Sequence, residues 1–154
     1  MDIRKATMKD FDKVLKIKLE SKEEERKFNN ELEPIEKVKT HYEEYLKNDL
    51  NNEWRAVFVA TENNKLIGFV TGKIYRTLYV SGFHRCGFIS NVFVKKEFRK
   101  RKIAENLISE LVNWLKKKGA TRLSLELYEN NTPAINLYHK LGFKNYSIKM
   151  RKKI

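Results

Sequence analysis

Residues 88–128 leave this chain few folds to choose from. Residues 88–94, FISNVFV, are a mostly apolar run of the kind that lies buried in the middle of a sheet. A basic segment follows at 95–102. Then Ile103, Leu107, Leu111 and Trp114 recur at helical spacing, with Ala104, Ile108, Val112 and Leu115 beside them. Lys116, Lys117 and Lys118 fill the last turn, where cations suit the helix dipole, and Gly119 is placed to end it. Leu123, Leu125 and Leu127 alternate with Ser124 and Glu126, which predicts a strand with one buried face. Strand, helix and strand in this order predict a right-handed parallel crossover inside a mixed α/β sheet. Such a sheet takes ligands beyond the carboxyl ends of its strands, and the basic segment sits at one.

The remaining segments fit around that unit. Residues 3–6 read as a first strand. Thr7, with Asp10 three residues on, resembles a capping box before Phe11, Val14, Leu15 and Leu19 at helical spacing. Residues 20–33 read as a charged loop or a frayed helix. Pro34 can open a second helix striped by Ile35, Val38, Tyr42, Tyr45 and Leu46, with 48–53 polar and ending it. Residues 54–61 and 66–75, joined by Glu62-Asn63-Asn64-Lys65, predict a β-hairpin. The segment 76–87 reads as loop or irregular strand. After 127, Thr132 is placed to cap a helix with Pro133 in its first position. Ala134, Leu137, Tyr138 and Leu141 follow at helical spacing, and Gly142 ends the helix. Residues 143–150 read as one last strand. No internal repeat or linker interrupts the order, so 1–154 is expected to be one domain, with about four helices and a shortened C-terminal strand region.

Charge narrows the partners. The chain has 154 residues, with 33 Lys and Arg against 20 Asp and Glu, a net +13. That invites nucleic acid, an anionic surface or a phosphate-rich ligand. Its placement matters more than its total. Residues 20–36 hold seven Glu against three basic residues, whereas 95–102 hold six basic residues against one Glu. The second cluster falls at a helix start, where free backbone N–H groups and the dipole favour an anion. The longest apolar run, 56–60, has five residues, far short of the ~20 needed to span a bilayer, so no membrane association is expected. A single cysteine, Cys86, cannot form an intrachain disulfide, and no apolar leader follows Met1. Both favour a reducing, cytoplasmic setting.

Two stretches carry the chemistry. Arg99-Lys100-Arg101-Lys102-Ile103-Ala104 opens the helix after the apolar run. Asn131, Ala134, Leu137, Tyr138, Lys140, Leu141, Gly142 and Phe143 lie at the fixed spacing Asn-x-x-Ala-x-x-Leu-Tyr-x-Lys-Leu-Gly-Phe. An ordinary amphipathic helix with a glycine cap accounts for Leu137, Leu141 and Gly142 but not for the rest. With these motifs the chain resembles the GCN5-related N-acetyltransferase (GNAT) superfamily, densely over 88–143 and more loosely over 1–75. In that family the first motif reads Arg/Gln-x-x-Gly-x-Gly/Ala. Arg99 and Ala104 match it, and Lys102 stands where glycine is usual. Lys102 fits if it keeps an ordinary helical conformation, and its charge would help hold an anion.

The resemblance implies a GNAT-like fold and transfer of acetyl from acetyl-CoA to a primary amine, without a metal. It implies that Val92, Phe93 and Val94 line the pantetheine arm. Arg99, Lys100, Arg101, Lys102, Ile103 and Ala104 would cradle the pyrophosphate, Asn131 would contact the coenzyme, and Tyr138 would return a proton to the leaving thiolate. An unperturbed tyrosine is protonated at neutral pH, as that role requires. Many members carry a carboxylate in the central strand. Residues 89–94 have none, so Glu126 is the candidate general base. Leu125-Glu126-Leu127 and Asn91-Val92-x-Val94 are similar to the protein N-terminal acetyltransferases that modify ribosomal proteins. The acceptor amine is therefore a protein N-terminus, or alternatively a polyamine or aminoglycoside-like small molecule. The basic tail, with Lys144, Lys149, Arg151, Lys152 and Lys153, also leaves open a nucleic-acid- or ribosome-associated coenzyme-binding module without turnover. A monomer and a homodimer are both compatible with the sequence.

Overall fold

A computed structural model describes residues 1–79, 82–152 and 154. Five strands form one sheet in the order β1 (Asp2–Lys5), β2 (Arg55–Glu62), β3 (Lys65–Tyr79), β4 (Gly82–Val94) and β5 (Arg122–Ser124). Each neighbouring pair is antiparallel except β4 and β5, which are parallel. The parallel pair is the crossover predicted for residues 88–128, with α3 (Ile103–Lys117) as its connection. The other helices are α1 (Phe11–Glu25), α2 (Ile35–Asn51) and α4 (Thr132–Lys140). The architecture is the mixed, mostly antiparallel α/β sheet with four helices that the sequence predicts.

Strand alternation sorts the core into two layers. Val57, Val59 and Phe69 pack with Val14, Leu15, Ile17 and Leu46 of α1 and α2. Ala56, Phe58, Ala60 and Val70 face the other way, onto Leu107, Leu111 and Leu115 of α3 and Tyr138 of α4. Glycines let α3 approach the sheet. A Cβ built on Gly72 would stand 2.7 Å from Leu111 Cδ2 and 2.9 Å from the Phe88 carbonyl oxygen, and one on Gly87 would stand 2.9 Å from Leu115. On the opposite face the buried Lys18 ammonium meets Asp49 at 3.1 Å, and Asp49 also accepts from Arg55 at 2.9 Å. That pairing ties α1, α2 and β2 together.

Several expectations change. The 20–33 stretch is helical as far as Glu25, because Lys22 pairs with Glu25 along the helix and Glu24 is held by Arg99. Of the two readings open for 76–87, loop or irregular strand, residues 76–79 and 82–87 take the strand. Arg76, Thr77 and Leu78 pair with Arg85, His84 and Phe83, so β3 and β4 form a long hairpin; Val80 and Ser81 lie outside the described residues. β5 is shorter than the alternating leucines suggest, with only Arg122, Leu123 and Ser124 in the ladder. Residues 143–150 form no strand. Tyr146, Ile148 and Met150 alternate as a strand would but are 91%, 91% and 89% exposed, since β5 offers a three-residue edge and no apolar face. Lys153 lies outside the described residues.

Candidate active site

The site begins with the parting of β4 and β5. Their ladder covers only Cys86–Phe88 against Arg122–Ser124, while β4 runs on beside β3 as far as Val94. A bulge gives the reason. Thr71 pairs with Asn91 but Gly72 with Ile89, so Ser90 is an extra residue on β4. A bulge bends its strand and strengthens the local twist, and here it falls just past the last β4–β5 pair. The β5-side edge of residues 89–94 is left without a strand partner, a row of backbone groups that an extended ligand can pair with. Val92, Phe93 and Val94 are in this stretch. Opposite the bulge, the Thr71 hydroxyl is buried without a hydrogen-bond partner.

The basic turn sits at the end of β4. Lys100 and Lys102 have φ of 63° and 58°, both left-handed. Lys102 therefore does not keep an ordinary helical conformation; it is left-handed, a region that favours glycine. Left-handed residues alternating in a turn aim successive N–H groups into one concavity. The same residue opens α3, and no side chain caps it. The first helical N–H to find a partner is that of Asn106, bonded to the Lys102 carbonyl at 3.0 Å. The N–H groups of Ile103, Ala104 and Glu105 are the free donors of the first turn, beside the positive end of the dipole.

The cations divide into two groups. Arg99 donates from Nε to the Val94 carbonyl at 2.8 Å and bidentately to Glu24 at 3.0 and 2.6 Å. Arg101 donates bidentately to Glu62 at 3.2 and 2.5 Å, and Lys95 meets Glu20 at 3.7 Å. Those three fasten the turn to α1 and to the end of β2. Lys96, Lys100 and Lys102 meet no carboxylate among the described residues. The groups this turn leaves open to an anion are its backbone N–H groups and those lysines.

Tyr138 comes from α4. The cap of that helix is Asn131 rather than Thr132: Asn131 Oδ1 accepts from the Ala134 N–H at 3.3 Å, leaving its amide nitrogen for a ligand. At the other end Gly142 has φ of 86°, and its N–H bonds to the His139 carbonyl at 2.9 Å while the Phe143 N–H bonds to that of Tyr138 at 3.0 Å. This two-bond helix ending turns Phe143 back onto Tyr138, ring centroids 5.4 Å apart. Lys140 reaches Glu105 in the first turn of α3 at 2.9 Å. Much of the eight-residue motif is thereby explained as a device for placing one phenol beside the start of α3. Tyr138 is buried in the core, and burial pushes its phenol well above the usual tyrosine range.

Glu126 lies just beyond β5. Its side chain is 72% exposed and 3.9 Å from Lys149 Nζ. The fold also gathers a group that no sequence spacing indicates. The Tyr128 phenol donates to Glu25 Oε1 at 3.0 Å, Asn29 Nδ2 donates to that phenol at 3.4 Å, and Asn130 Nδ2 donates to the Phe28 carbonyl at 3.3 Å. Burial raises the Tyr42 phenol above its ordinary range, and the Glu25 and Tyr128 charges raise it further. The end of α1 is thus tied across to the segment between β5 and α4. The partners lie about a hundred residues apart, and the only signal of their meeting was the Glu-rich composition of 20–36. No group of three or more His, Cys, Asp or Glu that could hold a metal occurs among the described residues.

A sheet split beside an uncapped helix start, with a buried phenol on the neighbouring helix, is the arrangement the chain presents. The model of the acetyltransferase (GNAT) family matches residues 18–143, and the chain belongs to that family. It is an acetyl-CoA-dependent N-acetyltransferase. N-alpha-acetyltransferase 30 of Schizosaccharomyces pombe is 31% identical over 108 residues, 68% of this chain and 69% of that protein. Among solved structures, a single-residue mutant of the BH1408 protein from Bacillus halodurans superposes with a TM-score of 0.87 at 20% identity, covering 100% of this chain and 99% of that one. AAC(6')-Iy in complex with the bisubstrate analogue CoA-S-monomethyl-acetylneamine superposes at 0.76 and 22% identity, covering 99% and 98%. The similarity extends both to N-terminal acetyltransferases and to aminoglycoside acetyltransferases, and does not select the ribosomal-protein type.

Proposed function

We propose that this chain transfers acetyl from acetyl-CoA to a primary amine on a small cationic molecule, by direct attack of the neutral amine on the thioester. The observation that carries the choice of acceptor is the Tyr128–Glu25 hydrogen bond of 3.0 Å, which sets the acidic end of α1 against the segment leading into α4. Glu25 is also paired with Lys22 there, and a second ammonium of a polyamine or aminoglycoside-like acceptor would take the place of that lysine. The likeness to AAC(6')-Iy, whose bound analogue joins coenzyme A to an aminoglycoside fragment, supports the same class.

The residues present suit the coenzyme. The left-handed turn at Lys100 and Lys102 and the uncapped start of α3 offer N–H donors to a pyrophosphate. The edge of Val92, Phe93 and Val94, without a strand partner on the β5 side, suits the amides of the pantetheine arm and offers an N–H to the oxyanion, while Arg99 already occupies the Val94 carbonyl. When bound, acetyl-CoA supplies the activated acyl group. Tyr138, kept protonated by burial, gives its proton to the departing sulfur. Glu126, open to water, takes the proton of the amine through an intervening water. Asn131 has an amide nitrogen free for the coenzyme once its oxygen caps α4.

A second reading, transfer to a protein N-terminus, draws on the similarity to N-alpha-acetyltransferase 30. The two separate in an acetylation screen of polyamines, aminoglycosides and N-terminal peptides, read by release of coenzyme A. Small polyamines or aminoglycosides are expected to exceed peptides at least tenfold in kcat/KM. Tyr138→Phe is expected to lower kcat by ~10²-fold with coenzyme affinity nearly unchanged. Peptides as the better substrates would overturn the choice of acceptor, and an unchanged kcat would remove Tyr138 from the chemistry.

A further inference from the structure

The first pair between β2 and β3 is Arg55 with Lys73, and β3 continues beyond it to Tyr79 with β4 as its only strand partner. The ledge so formed holds a cavity of about 570 Å³, lined by Trp54, Arg55, Lys73, Tyr75, Arg76 and Arg85 among others. Four of those six are cations, and no acid lines the cavity. Arg55 is already committed to Asp49 at 2.9 Å, and at the rim Lys118 meets Glu53 at 3.9 Å. Among the described residues Lys73, Arg76 and Arg85 meet no carboxylate. They rest on aromatic rings instead, Lys73 over Phe88 at 5.5 Å, Arg76 over Phe83 at 5.9 Å and Arg85 over Trp54 at 5.1 Å, and Arg85 also donates from Nη1 to the Lys118 carbonyl at 3.2 Å.

Arg76 and Arg85 are also direct partners in the antiparallel ladder. Side chains so placed stand about 5 Å apart at Cβ, and like charges in that relation destabilise a sheet. Arg76 and Arg85, forced together by register on the α3 face of the sheet, and Lys73, reaching the same open edge from the other face, meet no carboxylate among the described residues and leave a positive potential that a multiply charged anion would relieve. Guanidinium forks match phosphate oxygens bidentately. Trp54, 37% exposed with a guanidinium on its ring, offers flat apolar surface for a planar base. From Arg85 to Val94 the strand covers nine residues, roughly 30 Å at ~3.3 Å each, so this ledge is remote from the coenzyme turn.

We propose that the ledge under Trp54 is a second binding site, specific for a phosphate-bearing small molecule of the nucleotide class and separate from the coenzyme site. The test uses the full chain saturated with acetyl-CoA at low ionic strength. ATP, inorganic pyrophosphate and adenosine are titrated separately by calorimetry and tryptophan fluorescence. ATP is expected to bind below millimolar and adenosine not at all. ATP at least tenfold tighter than pyrophosphate supports the proposal, and pyrophosphate matching ATP would overturn the nucleotide class and leave a bare anion site. The Arg76→Ala/Arg85→Ala double variant is expected to lose at least tenfold in ATP affinity with acetyl-CoA turnover unchanged, and Lys73→Ala is the second variant should the first fail to fold. The proposal is overturned by absence of binding of both anions at 5 mM, by ATP affinity unchanged in the variants, or by arginine-dependent binding of a short single-stranded RNA without binding of ATP.

Discussion

Lys102 shows at one residue how the site trades local comfort for ligand geometry. A non-glycine side chain in the left-handed region costs roughly 1–2 kcal/mol, and Lys102 is there with φ of 58°. The conformation is imposed by a turn that must aim its N–H groups at one point before α3 begins. Lys102→Gly removes the clash at the cost of some chain entropy. It is expected to raise stability by about 0.5 kcal/mol in urea unfolding, whereas the same change at an ordinary helical residue would lower it by about 1 kcal/mol. A loss of stability would show that the turn relaxes in solution. Asp10 illustrates the opposite economy, with every contact favourable. It accepts from Arg4 at 2.9 and 2.7 Å and from the Thr7 N–H at 2.9 Å.

At the scale of elements, glycine placement on the strands decides where α3 sits. Gly72 faces Leu111 and the Phe88 carbonyl oxygen with no room for a methyl group. The obstruction on one side is backbone, so it cannot rotate away. Gly72→Ala is expected to lower stability by about 2 kcal/mol, measured as a shift in the urea midpoint. It is also expected to weaken acetyl-CoA binding, because α3 carries the first-turn donors. Unchanged stability would mean that the helix packs less closely than these distances imply. The same logic explains α4, whose glycine ending and Asn131 cap together fix the height and rotation of Tyr138. Motif residues read as recognition elements are here largely residues that position others.

Across the whole molecule, acid should loosen the fold from a defined direction. Arg4 holds the Asp10 carboxyl far below the usual carboxylate range, and Arg99 lowers that of Glu24. A folded-state pKa below the unfolded value of about 4 stabilises the protein above that value, and the contribution is lost as pH falls through it toward the folded one. Asp10→Asn is expected to cost about 2 kcal/mol at pH 7. The difference from the parent chain should close steadily below pH ~4 in urea melts run from pH 7 to pH 2.5. A gap that keeps its full pH 7 size down to pH 2.5 would show that the amide disrupts packing rather than charge.

The sequence by itself determined the crossover at 88–128, the hairpin of β2 and β3 and the placement of α3 and α4. Apolar periodicity, turn residues and glycine helix ends act over a few residues and are written locally. It also determined the family, since eight motif positions at fixed spacing survive in the chain. Tertiary structure alone decided the rest. The split between β4 and β5 depends on one bulged residue in a ladder formed by distant strands. The conformation of Lys102 depends on the angle at which α3 meets the sheet. Pairing with Glu20, Glu24 and Glu62 engages half of the basic cluster, and Tyr128 meets Glu25 across about a hundred residues of chain. The last strand expected at 143–150 did not form, because alternation supplies a strand's pattern but only a neighbouring edge and an apolar face supply the hydrogen bonds and burial that hold one in place.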